Sequence, residues 1–168
     1  MNIKEIKIKN FKSLYDVSFC PGNINVFIGA NGSGKSSVLE AIGVLSAAMT
    51  DRVNNNSLQR KGVRLSTSSL YKSQFRSIER SMPTVDFAMS WERNKNEYEY
   101  SVHLTTPADD DTWKYHSESV SKNGENVFGR SNRSSVQLNN KVGYYALSEK
   151  LNGEEYTDMG NYISGYGI

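Results

Sequence analysis

The chain opens on an alternation of apolar and charged positions. Ile6 and Ile8 are separated by Lys7 and followed by Lys9, and period two predicts a half-buried strand. Ser13 to Asp16 reads as a turn, after which Val17 and Phe19 resume the alternation as a second strand. Pro21-Gly22-Asn23 is a turn signal. Ile24 to Ile28 is then nearly continuous apolar sequence, the pattern of a short strand buried on both faces. Val38, Ile42, Leu45 and Met49 recur at i, i+4, i+7 and i+11 and predict an amphipathic helix. Further on, Val85, Phe87, Met89 and Trp91 alternate with polar residues, Glu92 to Glu97 is polar, and Tyr98, Tyr100, Val102 and Leu104 alternate again. That is a hairpin signature. Trp113 to Val120 is a third strand of this set, and Lys122-Asn-Gly-Glu125 turns the chain toward Val127 and Phe128. Val136 and Leu138 suggest another short strand, and Tyr144 to Leu151 a short helix.

Between the apolar run and the helix lies Gly29-Ala30-Asn31-Gly32-Ser33-Gly34-Lys35-Ser36. It fits the phosphate-loop (Walker A) spacing of Gly, four residues, then Gly-Lys-Ser/Thr. With this composition, chance yields about one such match in a hundred chains. The order of strand, glycine loop and helix is the context the motif requires. Glycines permit backbone angles that a Cβ forbids, so successive N–H groups converge on phosphate oxygens. The new helix adds its positive end. In this scheme Lys35 reaches the β- and γ-phosphates of ATP, the Ser36 hydroxyl ligates Mg²⁺, and Ser37 is placed for an α-phosphate contact.

Composition changes this picture little. At 168 residues the chain is one domain's worth, long enough for a core without disulfide staples. The lone Cys20 excludes an internal disulfide and a cysteine-based zinc site. No apolar run has the length of a membrane span and no secretory signal opens the chain, which points to a cytoplasmic protein with no membrane partner. The net charge of +2 conceals a basic stretch, 51–82, followed by an acidic one, 83–120. The basic stretch carries Arg52, Arg60, Lys61, Arg64, Lys72, Arg76 and Arg80. It reads as an exposed polar insertion, with a nucleic-acid face as the sharper alternative.

Residues Ile6 to Leu45 resemble the start of the SMC/RecF/OLD-like branch of ABC-type AAA-family ATPases. The resemblance rests on Ile8-Lys-Asn-Phe-Lys-Ser13, on the loop Gly29 to Ser37, and on Leu39-Glu-Ala-Ile42. It implies an α/β fold with α+β elements: the N-terminal lobe of a P-loop NTPase head of ABC type, carrying an antiparallel β subdomain. It implies that Lys12 and Ser13 approach the phosphates or the base. The organisation expected is one incomplete ATPase domain over 1–168, with strands, loop and helix in 1–50, the basic insertion in 51–82 and the β subdomain in 83–168. It further implies ATP-driven homodimerisation of complete heads, hydrolysis, and a role in DNA transactions or phage defence, with DNA as a possible partner.

The hydrolytic parts of such a head are not identifiable, so the resemblance implies half a head, inactive alone. No apolar run ends in Asp-Glu, and Asp86 sits inside an alternating strand. Ile163-Ser-Gly-Tyr-Gly167 echoes the signature motif but reads as turn chemistry. Gln59, Gln74 and Gln137 are all poorly placed for the Mg²⁺-contacting glutamine. Asp109-Asp110-Asp111 reads as a solvated loop, and neither His103 nor His116 has a partner at ligand spacing. Two alternatives stand beside the ATPase reading: a complete non-catalytic module that binds nucleotide or a partner, and a small phosphotransferase with Arg52 to Arg80 as its lid.

Overall fold

The computed structural model describes residues 2–50, 52–75, 83–107, 110–130 and 140–143. The predicted strand around Val136, the helix from Tyr144 and the Ile163–Gly167 segment lie outside them. Six strands form one antiparallel sheet: β1 (Asn2–Phe11), β2 (Leu14–Phe19), β3 (Val85–Arg93), β4 (Asn96–Thr105), β5 (Lys114–Lys122) and β6 (Glu125–Arg130), in the order β2-β1-β3-β4-β5-β6. The opening hairpin and the later β strands are therefore continuous. β1 pairs with β3 across the whole intervening loop region, with Ile6 opposite Met89 and Ile8 opposite Phe87.

The alternation read from the sequence puts one face of this sheet inward. Ile6, Ile8, Val85, Phe87, Met89, Trp91, Tyr100, Val102 and Leu104 are all buried. Helix α1 (Lys35–Thr50) belongs to the same core. Its C-terminal end is tied to the sheet by Tyr115, whose hydroxyl donates to the Ala48 carbonyl at 2.9 Å. α1 is buried on more sides than the predicted stripe requires. Ala41, Val44, Ala47 and Ala48 are fully enclosed, whereas Ile42 is only partly so.

Gly43 explains how a second layer comes so close. A Cβ there would lie 2.6 Å from the Lys61 carbonyl oxygen and 2.8 Å from a Val63 methyl. Those residues follow helix α2 (Asn55–Arg60), which Asn54 and Ser57 close with a reciprocal capping box.

Four expectations need correction. The run Ile24 to Ile28 is not a buried strand: no strand covers it among the described residues, and Ile24, Val26 and Ile28 are 87%, 75% and 90% exposed. The first turn is Lys12-Ser13 rather than Ser13 to Asp16, because β2 already starts at Leu14. The Glu92 to Glu97 turn shrinks to Asn94-Lys95, both at positive φ (51° and 64°), the geometry of a two-residue hairpin. Finally, the basic stretch is not a plain exposed insertion. Val53, Leu58, Val63 and Tyr71 are buried, and the Tyr71 ring meets Trp113 edge-on at 4.8 Å between centroids.

Candidate functional site

Three segments meet at one cleft of about 880 Å³. The first is the β1–β2 turn. Asn10 adopts positive φ (58°) and is buried; its side-chain amide donates to the Thr84 carbonyl at 2.7 Å and its Oδ1 accepts from the Ser73 N–H at 3.2 Å. The Lys12 N–H donates to the Tyr71 carbonyl at 2.9 Å, and Ser73 Oγ donates to the Leu14 carbonyl at 2.7 Å. These bonds fix the turn against residues 71–73, which belong to the third segment of the site.

The second segment is the glycine loop. Gly32 and Gly34 take φ of 83° and 95°, which L side chains rarely adopt. Gly34 is also pressed on the first turn: a Cβ there would lie 3.1 Å from Ser13 Oγ and 3.2 Å from Leu14. Helix α1 starts at Lys35, so the N–H groups of its first turn have no intrahelical acceptor and open toward the cleft end of the helix. Lys35 folds back over the loop, with Nζ donating to the carbonyls of Gly29 at 2.8 Å and Ala30 at 2.7 Å. Ser36 is exposed and lines the cleft. Ser37 is buried, and its Oγ lies 2.9 Å from Ser13 Oγ, so these two hydroxyls bridge α1 to the turn.

The third segment, residues 64–75, belongs to the basic stretch, and the sequence alone does not bring it to the glycine loop except as the lid of the phosphotransferase alternative. It contributes Arg64, Leu65, Leu70, Lys72, Gln74 and Phe75 to the cleft. Gln74, judged badly placed from sequence, thus stands across from the loop, its side-chain amide donating to the Ser69 carbonyl at 2.9 Å. Phe75 meets Tyr15 edge-on at 6.2 Å. The only sequence hint was basic charge in a Ser-rich stretch, which does not say which way the cations face.

Of the expected site residues, Lys12, Ser13, Asn31, Gly32, Gly34, Lys35, Ser36 and Ser37 line this cleft together. Gly29, Ala30 and Ser33 belong to the loop but do not line the cleft; Lys35 takes up the first two carbonyls and the Ser33 N–H donates to the Ala30 carbonyl at 3.2 Å. Among the described residues, Lys12, Lys35, Arg64 and Lys72 make four cations on the lining, and no carboxylate lines it. The Lys12 ammonium is bonded to the buried Glu40, which also accepts from Arg64 Nε at 2.6 Å. The loop therefore fits a magnesium–triphosphate group: glycines where the backbone must turn, a lysine with neutral carbonyls rather than a carboxylate as its partners, and a helix-start hydroxyl open to the same space.

The histidines lie elsewhere. His103 Nδ1 is 2.9 Å from Asp86 Oδ1 on the sheet's other face, a partner supplied by the β3–β4 register rather than by sequence spacing. This hydrogen bond raises the His103 pKa above its ordinary value, against the opposing effect of burial. Burial pushes the Asp86 carboxyl up, but the hydrogen bonds from His103 and Thr84 more than offset it, leaving a net depression. Asp110 bonds Lys141 and the Thr112 N–H, and among the described residues no three His, Cys, Asp or Glu gather as a metal site.

A glycine loop feeding a helix beside an antiparallel sheet is the mixed α/β architecture of a P-loop NTPase fold. Comparison with known proteins narrows the class. Residues 1–79 match the family described as AAA ATPase domain. The DNA replication and repair protein RecF of Lysinibacillus sphaericus is 44% identical over 59 residues, 33% of this chain and 15% of that protein. RecF of Pseudomonas fluorescens (strain Pf0-1) is 43% identical over 53 residues, 31% of this chain and 14% of that protein. The match thus spans about a seventh of each relative. A solved chain from work on ATP-driven dimerisation and DNA-stimulated activation of SMC ATPases superimposes with a TM-score of 0.51 at 14% identity, covering 97% of this chain and 99% of that one. The chain has the N-terminal-lobe fold of an SMC/RecF-like ABC-type AAA ATPase. No helix among the described residues is long and apolar enough to cross a membrane.

Proposed function

We propose that this chain binds ATP with Mg²⁺ in the cleft between the glycine loop and residues 64–75. The observation that carries the reading is the lining itself: among the described residues, four cations and no carboxylate, with a loop whose glycines hold positive φ at a helix start. The loop N–H groups, Lys35 and Ser37 would hold the phosphates, with Lys12 and Ser13 bordering them. Ser36 would hold the Mg²⁺, which supplies charge neutralisation between phosphate oxygens. Leu65, Leu70 and Phe75 give the far rim an apolar surface suited to a base rather than to bare phosphate.

In the complete protein, ATP would draw two heads together and hydrolysis would part them, with a second lobe supplying the water-activating carboxylate and the partner head the signature motif. DNA transactions or phage defence would be the setting, with DNA as a partner. Residues 1–168 then act as a single, incomplete ATPase domain. Arg64 and Lys72 face the nucleotide cleft, so the basic stretch serves the nucleotide before it serves DNA.

A thermal-shift series tests ATP binding. A ligand at a hundred times its Kd stabilises by about 2.7 kcal/mol, which raises Tm by about 5–10 °C at this chain length. Lys35→Ala should remove most of that rise. Equal shifts in wild type and variant would refute the loop's assignment.

A further inference from the structure

Glu40 lies on α1, just past the phosphate loop, and its side chain is 5% exposed. A carboxylate taken out of water in this way is unfavourable unless cations and hydrogen bonds compensate it. Here the compensation comes from two segments that are distant in sequence. Lys12, from the β1–β2 turn, bonds one carboxylate oxygen, and Arg64 donates Nε–H to the other at 2.6 Å. One buried anion on the loop's own helix thus ties together both remaining walls of the cleft.

The two cations are not equivalent. The Lys12 side chain is 15% exposed, donates also to the Arg64 carbonyl at 3.3 Å, and lies over the Phe11 and Tyr71 rings at 5.5 and 5.3 Å. It is mostly enclosed and reaches the cleft only at its edge. The Arg64 side chain is 73% exposed and lines the cleft. Its bond to Glu40 uses Nε, the inner nitrogen of the guanidinium, which leaves the outer edge of the planar fork directed away from the carboxylate.

We propose that Glu40 is a positioning residue for the nucleotide: it holds Arg64 by Nε so that the guanidinium edge meets the phosphates, and it locks Lys12 as a strut between α1 and the first turn. This rests on the ATP-binding reading and goes beyond it in assigning the anion-meeting role to Arg64, and in making that role depend on a residue that touches no ligand. Nothing in the Gly-Lys-Ser motif specifies either residue.

The test is a double-mutant cycle on the full chain with Mg²⁺-ATP and inorganic tripolyphosphate as titrants. Arg64→Ala should weaken both ligands by about tenfold, the loss expected for one charge-assisted hydrogen bond. Glu40→Gln keeps the side chain's size and removes its charge, and should weaken both ligands by a similar factor. The double variant should bind no worse than the weaker single, because both changes disable one device. Unchanged affinity in Glu40→Gln, or losses that simply multiply in the double variant, would overturn the proposal. A second readout needs no nucleotide. The Arg64 Nε–H should exchange slowly with solvent in the wild type and rapidly in Glu40→Gln; equal rates would overturn the positioning role by themselves. If Lys35→Ala binds ATP as the wild type does, the ATP reading fails, while the exchange measurement still decides whether Glu40 holds Arg64.

Discussion

Substitution of Gly43 by alanine sets helix propensity against packing, and the two predict opposite signs. Gly43 is inside α1, where an alanine gains about 1 kcal/mol over glycine from propensity alone. The added methyl, however, would sit 2.6 Å from the Lys61 carbonyl and 2.8 Å from Val63. One of these neighbours is backbone, so no rotamer change relieves it, and overpacking of this kind costs about 1–3 kcal/mol. The contact is at the severe end of that range, so the net effect should be a loss of about 1–2 kcal/mol, or about 2–8 °C in Tm at this chain length. Calorimetry or a urea melt measures it. The same displacement should reach the site, because Arg64 follows Val63 directly and is held to Glu40 of α1. ATP should therefore bind more weakly to Gly43→Ala than its lost stability alone explains. An alanine variant more stable than the wild type would refute the close approach of α1 to residues 61–63, and with it the placement of Arg64.

Two further outcomes follow from the sheet. Glu118 is fully enclosed, accepts from the Tyr100 hydroxyl at 2.7 Å and pairs with Arg130 at 3.1 Å, so Glu118→Ala should destabilise by about 3–5 kcal/mol in a denaturant melt, since it strands a buried cation. The Asp86–His103 pair should give a stability bell: its contribution is lost as pH falls through the depressed Asp86 pKa and as pH rises through the raised His103 pKa, with both groups charged in between. Melts from pH 3 to pH 9 check this, and His103→Gln should flatten the alkaline limb; an unchanged limb would assign it to another group.

Much of the fold was legible because period two and period 3.6 are properties of local sequence. Ile6 and Ile8 marked β1, Val85 to Trp91 marked β3, and the Gly-Lys-Ser spacing marked the start of α1. What stayed hidden depends on contacts across the chain. The Lys12-Ser13 turn is tighter than expected because Asn10 and the residue 71–73 segment hold it from outside. On β5, counting by twos from Tyr115 puts Ser117 and Ser119 inward and Glu118 outward. A bulge opposite His103 and Leu104 shifts the count and turns Glu118 and Val120 into the core. Residues 52–75 gave no period because Val53, Leu58, Val63 and Tyr71 reach the core one at a time, from a cap, a short helix and loops. The loop half of the site was therefore readable, and the half contributed by Arg64, Lys72 and Gln74 was not.

The run from Ile24 to Ile28 is the point where sequence pattern and structure part furthest, and its chemistry bears on the site. Its apolar positions suit a strand covered on both faces, yet Ile24, Val26 and Ile28 are largely in solvent, and beside them lies a groove lined by Ile6, Phe19, Phe27, Leu39 and Ile42. Phe27 alone gains an aromatic neighbour, meeting Phe19 edge-on at 5.8 Å. An uncovered apolar run of strand-like pattern invites pairing, and under the proposed function the second lobe of the head supplies the partner. The glycine loop begins where this run ends. One end of the loop is therefore fixed by a well-packed helix and the other by a segment with little packing of its own. Any freedom that segment loses on nucleotide binding opposes affinity. Covering the run should thus tighten ATP binding without any new contact to the nucleotide.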